Sequence, residues 1–274
     1  MNPVSDPSIV RFRALIEAGL AELEARREEV NDLNVFPVAD GDTGDNMVLT
    51  LRAVLQELDR LSDSSEERTI DDIDRDEIVA SVARAALLGA RGNSGVILSQ
   101  LIRGAAEELA SRPGELIDPV LISAALARAA DQAYGSVREP AEGTILTVVR
   151  EMAHRVASEV AHMQDARLGP EATAAEQNAV VAEVIERALA AGQESVMRGP
   201  DLLPVLREAG VVDAGGYASP SCWRASSGRC AAPPRRRSSI TPRPASPILS
   251  TPRARTATAR TSPSPAPTSS CAGS

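Results

Sequence analysis

The segment NDLNVFPVADGDTGDNM, residues 31–47, places two acids on a glycine-rich loop directly before an apolar helical repeat. Asp40 and Asp42 are two residues apart, Asn34 lies six residues before Asp40, and Asn46 opens the repeat. Carboxylate and amide oxygens on such a loop can converge on a small hard cation such as Mg2+. The N–H groups at the start of the following helix favour an anion at the same point. The segment therefore predicts a metal–phosphate site.

Outward from this loop, the body of the chain has the pattern of a helical protein. Apolar residues recur at helical spacing, and no stretch alternates convincingly with period two, so we expect no sheet. Small residues dominate the helix faces and aromatic residues make up 2% of the chain, which favours close helix packing. The predicted helices begin at Pro7, span about 46–61, 74–88, 95–111 and 118–135, begin again near Thr144, and span about 173–192 and 200–208.

Charge divides the chain near residue 217. Residues 1–217 hold all 38 acids and 20 arginines, for a net charge of −18, whereas residues 218–274 hold nine arginines and no acid. The chain has no lysine, which excludes a P-loop and Schiff-base chemistry. The acidic body argues against general nucleic-acid binding. Because no apolar run approaches about 18 residues and the N-terminus lacks signal-peptide features, we expect a cytoplasmic protein with no transmembrane segment.

Three further glycine-rich segments stand out: GARGNSG at 89–95, EGTILTVV at 142–149 and EAGVVDAGG at 208–216. The N–H groups of the first segment and the Ser94 hydroxyl could hold phosphate oxygens. Plainer interpretations stay open, since Ser94 could be only a helix N-cap and Asp213 only a turn former. Asp40 and Asp42 could likewise cap the following helix. Arg91 could contact phosphate or lie on the surface.

Two histidines and three cysteines add little to the site. His154 and His162 are eight residues apart on one predicted helix, too far to share a metal, so we expect partly exposed helix-face residues. The cysteines, at 222, 230 and 271, have no metal-ligand spacing.

Four segments together, in this order and spacing, resemble the DhaL-type kinase domain: LNVFPVADGDTGDNM, GARGNSGVILSQLIRG, EGTILTV and LREAGVVDAGG. The resemblance is closest to the N-terminal domain of the bacterial fatty acid kinases (FakA-like) and covers about residues 8–217. It implies an all-α fold, an antiparallel barrel of eight helices. It also implies ATP at one end of the barrel, its phosphates bridged to the protein by two Mg2+ ions.

The same resemblance implies roles for individual residues. Asp40 and Asp42 would be metal ligands together with Asn34, which stands where the dihydroxyacetone kinase relatives have a third acid. Asp45 departs from the small or neutral residue usual at its position and would repel phosphate unless it points elsewhere. No catalytic base can be named. The residues implied in nucleotide binding are Thr43, Gly44, Asn46, Asn93, Ser94, Gly95, Thr144, Asp213 and Gly215.

The implied activity is transfer of the ATP γ-phosphoryl group to a fatty acid held by a separate fatty-acid-binding (FakB-like) protein. One alternative is phosphotransfer like that of the dihydroxyacetone (glycerone) kinase L subunit. A second alternative is an inactive nucleotide-binding fragment. The acceptor and its chain length do not follow from the sequence.

Residues 218–274 differ in character from the body. They hold ten of the 19 prolines and show no hydrophobic period, so we predict disorder. We expect the last barrel helix to be missing or disrupted and the partner-docking domain to be absent. The abrupt change suggests a truncation or frameshift after about residue 217. A barrel without one wall would expose apolar faces, so we also expect marginal folding.

Overall fold

The computed structural model describes residues 7–63, 75–111, 118–163 and 173–227. These described residues form α-helices and no β-strand. Residues 228–274, most of the segment predicted to be disordered, lie outside the described part. The helices are α1 Pro7–Ala25, α2 Arg27–Asp32, α3 Thr43–Asp63, α4 Arg75–Gly89, α5 Gly92–Ala110, α6 Pro119–Ser136, α7 Ile145–His162, α8 Ala174–Leu202, α9 Pro204–Ala209 and α10 Ala214–Ser227.

Eight of the described helices are long and form a closed ring, while α2 and α9 have six residues each. Each ring member packs against the next in the order α1, α3, α4, α5, α6, α7, α8, α10, and α10 packs back on α1. Every second member, namely α3, α5, α7 and α10, begins around one cavity. Neighbouring helices in the ring therefore run in opposite directions, and the predicted all-α barrel is confirmed.

The last wall of the ring is α10, which corrects the expectation of a missing helix. This helix runs ten residues beyond Tyr217 and packs against α1, α7 and α8. Its buried residues include Ala214, Ala218 and Ser219. Small side chains let helices approach closely, so this wall needs none of the large apolar residues whose absence suggested a break. A closed ring also removes the reason to expect marginal folding.

Polar contacts join α10 to the first helices. The Tyr217 hydroxyl donates to Glu29 and accepts from Arg26, and the Arg26 guanidinium lies 4.6 Å from the centroid of the tyrosine ring. Burial of the phenol, reinforced by its bond to Glu29, raises the pKa of Tyr217 to about 12. The hydroxyl therefore stays protonated and keeps its donor role at ordinary pH.

Close packing through small residues also shapes the wall between α5 and α6. A Cβ atom at Gly104 would lie 2.7 Å from the carbonyl oxygen of Arg128 and 2.8 Å from the Cα of Ala129. Ala129 at this contact is buried, and so is Ala133 one turn later on α6. The larger apolar residues, such as Met47 on α3, fill the two hydrophobic clusters inside the ring.

The remaining differences from the predicted helices are small. Helix α3 begins at residue 43 rather than 46 and α5 at residue 92 rather than 95, while α8 continues through Pro200 to Leu202. The six-residue α2 was not predicted, because it is too short to show a helical period. His154 and His162 are exposed on α7, as predicted. None of the described helices combines the length and apolar character that a membrane span needs.

Candidate functional site

A cavity of about 510 Å³ opens where α3, α5, α7 and α10 begin, a size typical of small-molecule sites. Helix N-termini carry partial positive charge, so four of them around one cavity favour an anionic ligand. Nine of the twelve site residues predicted from the sequence line it: Asn34, Asp40, Asp42, Thr43, Asn93, Ser94, Thr144, Asp213 and Gly215. The structure therefore brings together four segments that are up to 181 residues apart in the chain.

The three predicted metal ligands, Asn34, Asp40 and Asp42, all line this cavity. The buried side chain of Asn34 donates from Nδ2 to Asp40 Oδ1 at 2.7 Å, and Asp42 lines the same cavity. Asp42 also precedes α3, and its carbonyl oxygen accepts the first helical bond, from the N–H of Asn46 at 2.9 Å. Within the described residues no group of three or more His, Cys, Asp or Glu could hold a metal ion. The side chains available here are thus two carboxylates and one amide.

The start of α3 differs from the expected phosphate-binding turn. Asn31 on α2 accepts through Oδ1 from the N–H of Gly44 at 2.7 Å and from the N–H of Asp45 at 3.3 Å. A Cβ at Gly44 would also clash with the carbonyl oxygen of Arg27. Gly44 therefore packs against α2, and its N–H is directed to Asn31 rather than to the cavity.

Asp45 points away from the cavity, which resolves the concern about repulsion. Its Oδ2 accepts from Asn31 Nδ2 at 2.9 Å, and its Oδ1 lies 3.5 Å from Arg27 Nε. The carboxylate is therefore held on the α2 side of the loop and does not oppose an anion in the cavity.

The first turn of α5 borders the cavity with N–H groups that have no acceptor among the described residues. Gly95 donates to the carbonyl of Arg91 at 3.1 Å, so the N–H groups of Gly92, Asn93 and Ser94 precede the first bond of the helix. All three residues line the cavity. Ser94 lies inside this turn, and the N-cap position belongs to Arg91, so Ser94 is not the N-cap.

Two residues of the segment 89–95, which forms the second loop of the site, lie outside the cavity. Gly95 is buried, and a Cβ there would lie 2.9 Å from Thr50 Oγ1, so it permits close packing of α5 on α3. Arg91 donates to the carbonyl oxygens of Leu88 at 3.0 Å and Ala90 at 2.8 Å. Its guanidinium therefore satisfies the end of α4 and does not reach the cavity.

Asn46, on α3, packs against the backbone of Gly92 in the second loop. Gly92 has a φ of +58°, and a Cβ on it would clash with Nδ2 of Asn46, so both the backbone angle and the space require glycine. Asn46 is buried, and its Nδ2 has no hydrogen-bond partner among the described residues. A buried donor without a partner is rare in folded proteins. Asn46 and Gly95 thus lie behind the loop rather than on the cavity surface.

Asp213 holds the starts of two helices at once. Its Oδ2 accepts from the N–H of Ile145 on α7 at 3.0 Å and from the N–H of Gly216 on α10 at 2.7 Å. Burial raises the pKa of this carboxyl to about 6, although the two N–H bonds oppose the shift. Thr144, the N-cap residue of α7, donates to the carbonyl of Ala141 at 2.8 Å. Asp213 is therefore a shared cap rather than a simple turn residue.

Sequence reasoning missed a further part of the lining. The loop between α6 and α7 contributes one wall, and Arg138 is the basic residue among the described residues that line the cavity. No periodicity or composition signal marks Arg138. The signal that could have placed Arg138 near the site is its position six residues before Thr144, in the same connection between helices. The other residues in the lining that were not predicted are Phe36, Pro37, Val38, Gly92, Val96, Ile97, Ser136, Val137, Glu139, Ala141, Ile145 and Leu146.

Comparisons with known proteins show a domain family and relatives that match most of this chain. The sequence model of the DAK2 domain (Dak2) matches residues 37–226, which extends through nearly all of α10. Protein YloV of Bacillus subtilis (strain 168) is 36% identical over 205 residues, covering 75% of this chain and 32% of YloV. An uncharacterised protein of Staphylococcus haemolyticus (strain JCSC1435) is 35% identical over 206 residues, covering 75% and 32%. The chain thus spans about a third of the length of these curated relatives.

A solved structure shares the fold. The crystal structure of the dihydroxyacetone kinase from C. freundii in complex with AMP-PNP and Mg2+ superposes with a TM-score of 0.51 at 18% identity. The match covers 79% of this chain and 33% of that chain. With the domain match over most of its length and the closed helical ring, the chain belongs to the DAK2 (DhaL-type) domain family.

Proposed function

We propose that this domain binds Mg-ATP in the cavity and donates the γ-phosphoryl group to an acceptor presented by another domain or protein. One observation carries the proposal: four helix N-termini and a set of hard oxygen ligands converge on a single cavity. The N-termini favour the phosphate anion, and the oxygen ligands favour a divalent cation. A metal–nucleotide complex supplies both charges together.

The side chains present fit Mg2+. Asp40, Asp42 and Asn34 would hold it, and a bound ion would neutralise charge on the transferring phosphoryl group. Mg2+ commonly uses one or two carboxylates and completes its shell with phosphate oxygens and water. Two carboxylates and one amide are therefore sufficient protein ligands. The family resemblance implies two ions, and we propose that number for this chain as well.

The other residues of the cavity bind and orient the phosphates. The N–H groups of Gly92, Asn93 and Ser94, with the Ser94 hydroxyl, donate to phosphate oxygens, and Thr43 and Thr144 border the same space. These donors belong to the first turns of packed helices, so they need little reorganisation when charge develops. Phosphoryl transfer depends mostly on such positioning and charge stabilisation, and no general base is assigned.

For the acceptor, we propose a fatty acid carried by a separate fatty-acid-binding (FakB-like) protein. The support is the set of FakA-like motifs together with 36% identity to YloV over 205 residues. Dihydroxyacetone is the second candidate, because the C. freundii dihydroxyacetone kinase shares the fold. The remaining alternative is a fragment that binds nucleotide without transferring phosphate.

A phosphotransfer assay separates these three possibilities. The chain is incubated with radiolabelled γ-phosphate ATP and Mg2+, with either an acyl-loaded FakB-like protein or dihydroxyacetone carried by a separate binding subunit. ATP binding is measured in parallel by calorimetry, and Asp42→Asn serves as the inactive control. Label on the acyl group supports the fatty acid proposal, and label on dihydroxyacetone supports the second candidate. ATP binding without transfer to either acceptor identifies an inactive fragment. Absence of ATP binding contradicts the proposed function altogether.

A further inference from the structure

The connection between α6 and α7 is a structured wall of the cavity, held in place by Glu142. This carboxylate accepts from Arg150 through two bonds of 2.6 and 2.9 Å and from Thr147 Oγ1 at 2.7 Å. The Tyr134 hydroxyl on α6 donates to it at 3.3 Å. The Arg150 guanidinium also lies 4.8 Å from the centroid of the Tyr134 ring. Glu142 therefore ties the loop to both helices that the loop connects.

The backbone beside Glu142 is fixed as well. Gly143 has a φ of +86°, and a Cβ on it would lie 2.7 Å from the carbonyl oxygen of Gly199 on α8. Its N–H donates to Thr147 Oγ1 at 2.9 Å. At the other end of the loop, the N–H of Val137 donates to the carbonyl of Tyr134 at 3.3 Å. The loop is thus anchored at both ends, and its middle faces the cavity.

Arg138 lies in this anchored loop, two residues after α6 ends at Ser136, and lines the cavity. Within the described part of the chain, no carboxylate lies within the 4.0 Å ion-pair distance of Arg138. The chain has no lysine, so arginine must provide any side-chain cation that a phosphate meets. The other charged residues of the lining are acids: Asp40, Asp42, Glu139 and Asp213.

We propose that Arg138 contacts a phosphate of the bound nucleotide and that Glu142 is the positioning residue that keeps Arg138 facing the cavity. This inference rests on the proposed binding of ATP and names the residue that recognises its phosphates. A planar guanidinium suits the task because it can donate two parallel N–H bonds to phosphate oxygens. Glu142 itself does not touch the nucleotide and acts through the loop.

The test measures ATP and adenosine affinities of this chain by calorimetry in Mg2+, for wild type and three variants. Arg138→Gln is expected to weaken ATP binding about tenfold or more, since it removes a hydrogen bond between charged groups. Adenosine binding should not change, because adenosine has no phosphate. Arg138→Lys should keep part of the affinity. Glu142→Gln should weaken ATP binding by a smaller factor.

A double-mutant cycle then distinguishes positioning from a general structural role. If Glu142 acts through Arg138, the variant carrying both substitutions binds ATP no more weakly than Arg138→Gln alone. The matched control is Glu107→Gln, whose carboxylate also accepts from two arginines, at 2.7 and 3.2 Å, but does not line the cavity. This control should bind ATP like wild type, and melting curves check that each variant folds.

Two results would overturn the inference while leaving ATP binding itself intact. One is an Arg138→Gln variant that binds ATP as tightly as wild type, or that loses adenosine affinity to the same degree. The other is a cycle in which the effects of Arg138→Gln and Glu142→Gln are additive. If the wild-type chain binds no ATP, the proposed function fails and this inference fails with it.

Discussion

The shared cap at Asp213 predicts an unusually large effect for a single carboxyl group. In Asp213→Ala, the buried N–H groups of Ile145 and Gly216 both lose their acceptor. Each buried donor left without a partner costs about 1–3 kcal/mol, so the free energy of unfolding should fall by about 2–6 kcal/mol. Because both bonds end on the same oxygen, Oδ2, an amide can replace the carboxyl. Asp213→Asn should therefore lower the free energy of unfolding by less than about 1 kcal/mol.

Urea denaturation followed by circular dichroism at pH 5 measures these differences. The matched control is Asp118→Ala, because the side chain of Asp118 caps α6 alone and accepts from the N–H of Leu121 at 2.8 Å. A single N-cap is worth about 1 kcal/mol. The reasoning is refuted if Asp213→Ala costs no more than Asp118→Ala, or if Asp213→Asn is as damaging as Asp213→Ala.

Three further predictions concern stability. The folded pKa of Asp213, about 6, exceeds the ordinary value of 3.8, so its contribution to stability is present below about pH 4 and lost as pH rises through 6. Unfolding titrations should show wild type losing about 3 kcal/mol relative to Asp213→Asn between pH 4 and 8. Gly104→Ala should lower the free energy of unfolding by about 1–3 kcal/mol, because the added Cβ meets the backbone of α6. Gly135→Ala is the control, because the space around Gly135 is open, and it should leave stability unchanged or raise it in the same melts. Tyr217→Phe should lower the free energy of unfolding by about 1–2 kcal/mol, because it removes the hydroxyl bonds to Arg26 and Glu29. An unchanged melting temperature would contradict the role of these bonds in joining α10 to the first helices.

The sequence predicted the ring helices well where large apolar residues repeat. Helix α7 shows this best, since Val148, Met152 and Val156 are spaced at four residues and all are buried. Helix α10 was missed beyond Tyr217 because its inward face uses alanine, serine and proline. Small side chains carry no periodic hydrophobic signal, yet they bury well wherever helices come close. Burial through Ala218 therefore depends on the neighbours, which the local sequence does not describe.

The sequence predicted which residues belong to the candidate site better than it predicted how those residues are oriented. Motif order indicated that Asp42 and Ser94 would share a site, and both line the cavity. The sequence could not show that Asn31 accepts the N–H of Gly44, because that bond comes from a helix too short to predict. Asn46 was assigned to the nucleotide although the structure places it beneath Gly92. Arg138 was missed because a single arginine in a loop resembles any surface residue.

We propose that the loop of residues 40–42 holds a divalent cation that a triphosphate needs in order to bind. Calorimetric titration of the chain with ATP, with Mg2+ and with a chelator, tests it directly. Wild type should bind ATP at least about tenfold more tightly with Mg2+, and Asp42→Ala should lose this dependence. Asp45→Asn, altered on the side of the loop that faces Arg27, should keep it. Equal ATP affinity with and without Mg2+ in the wild-type chain would contradict the account.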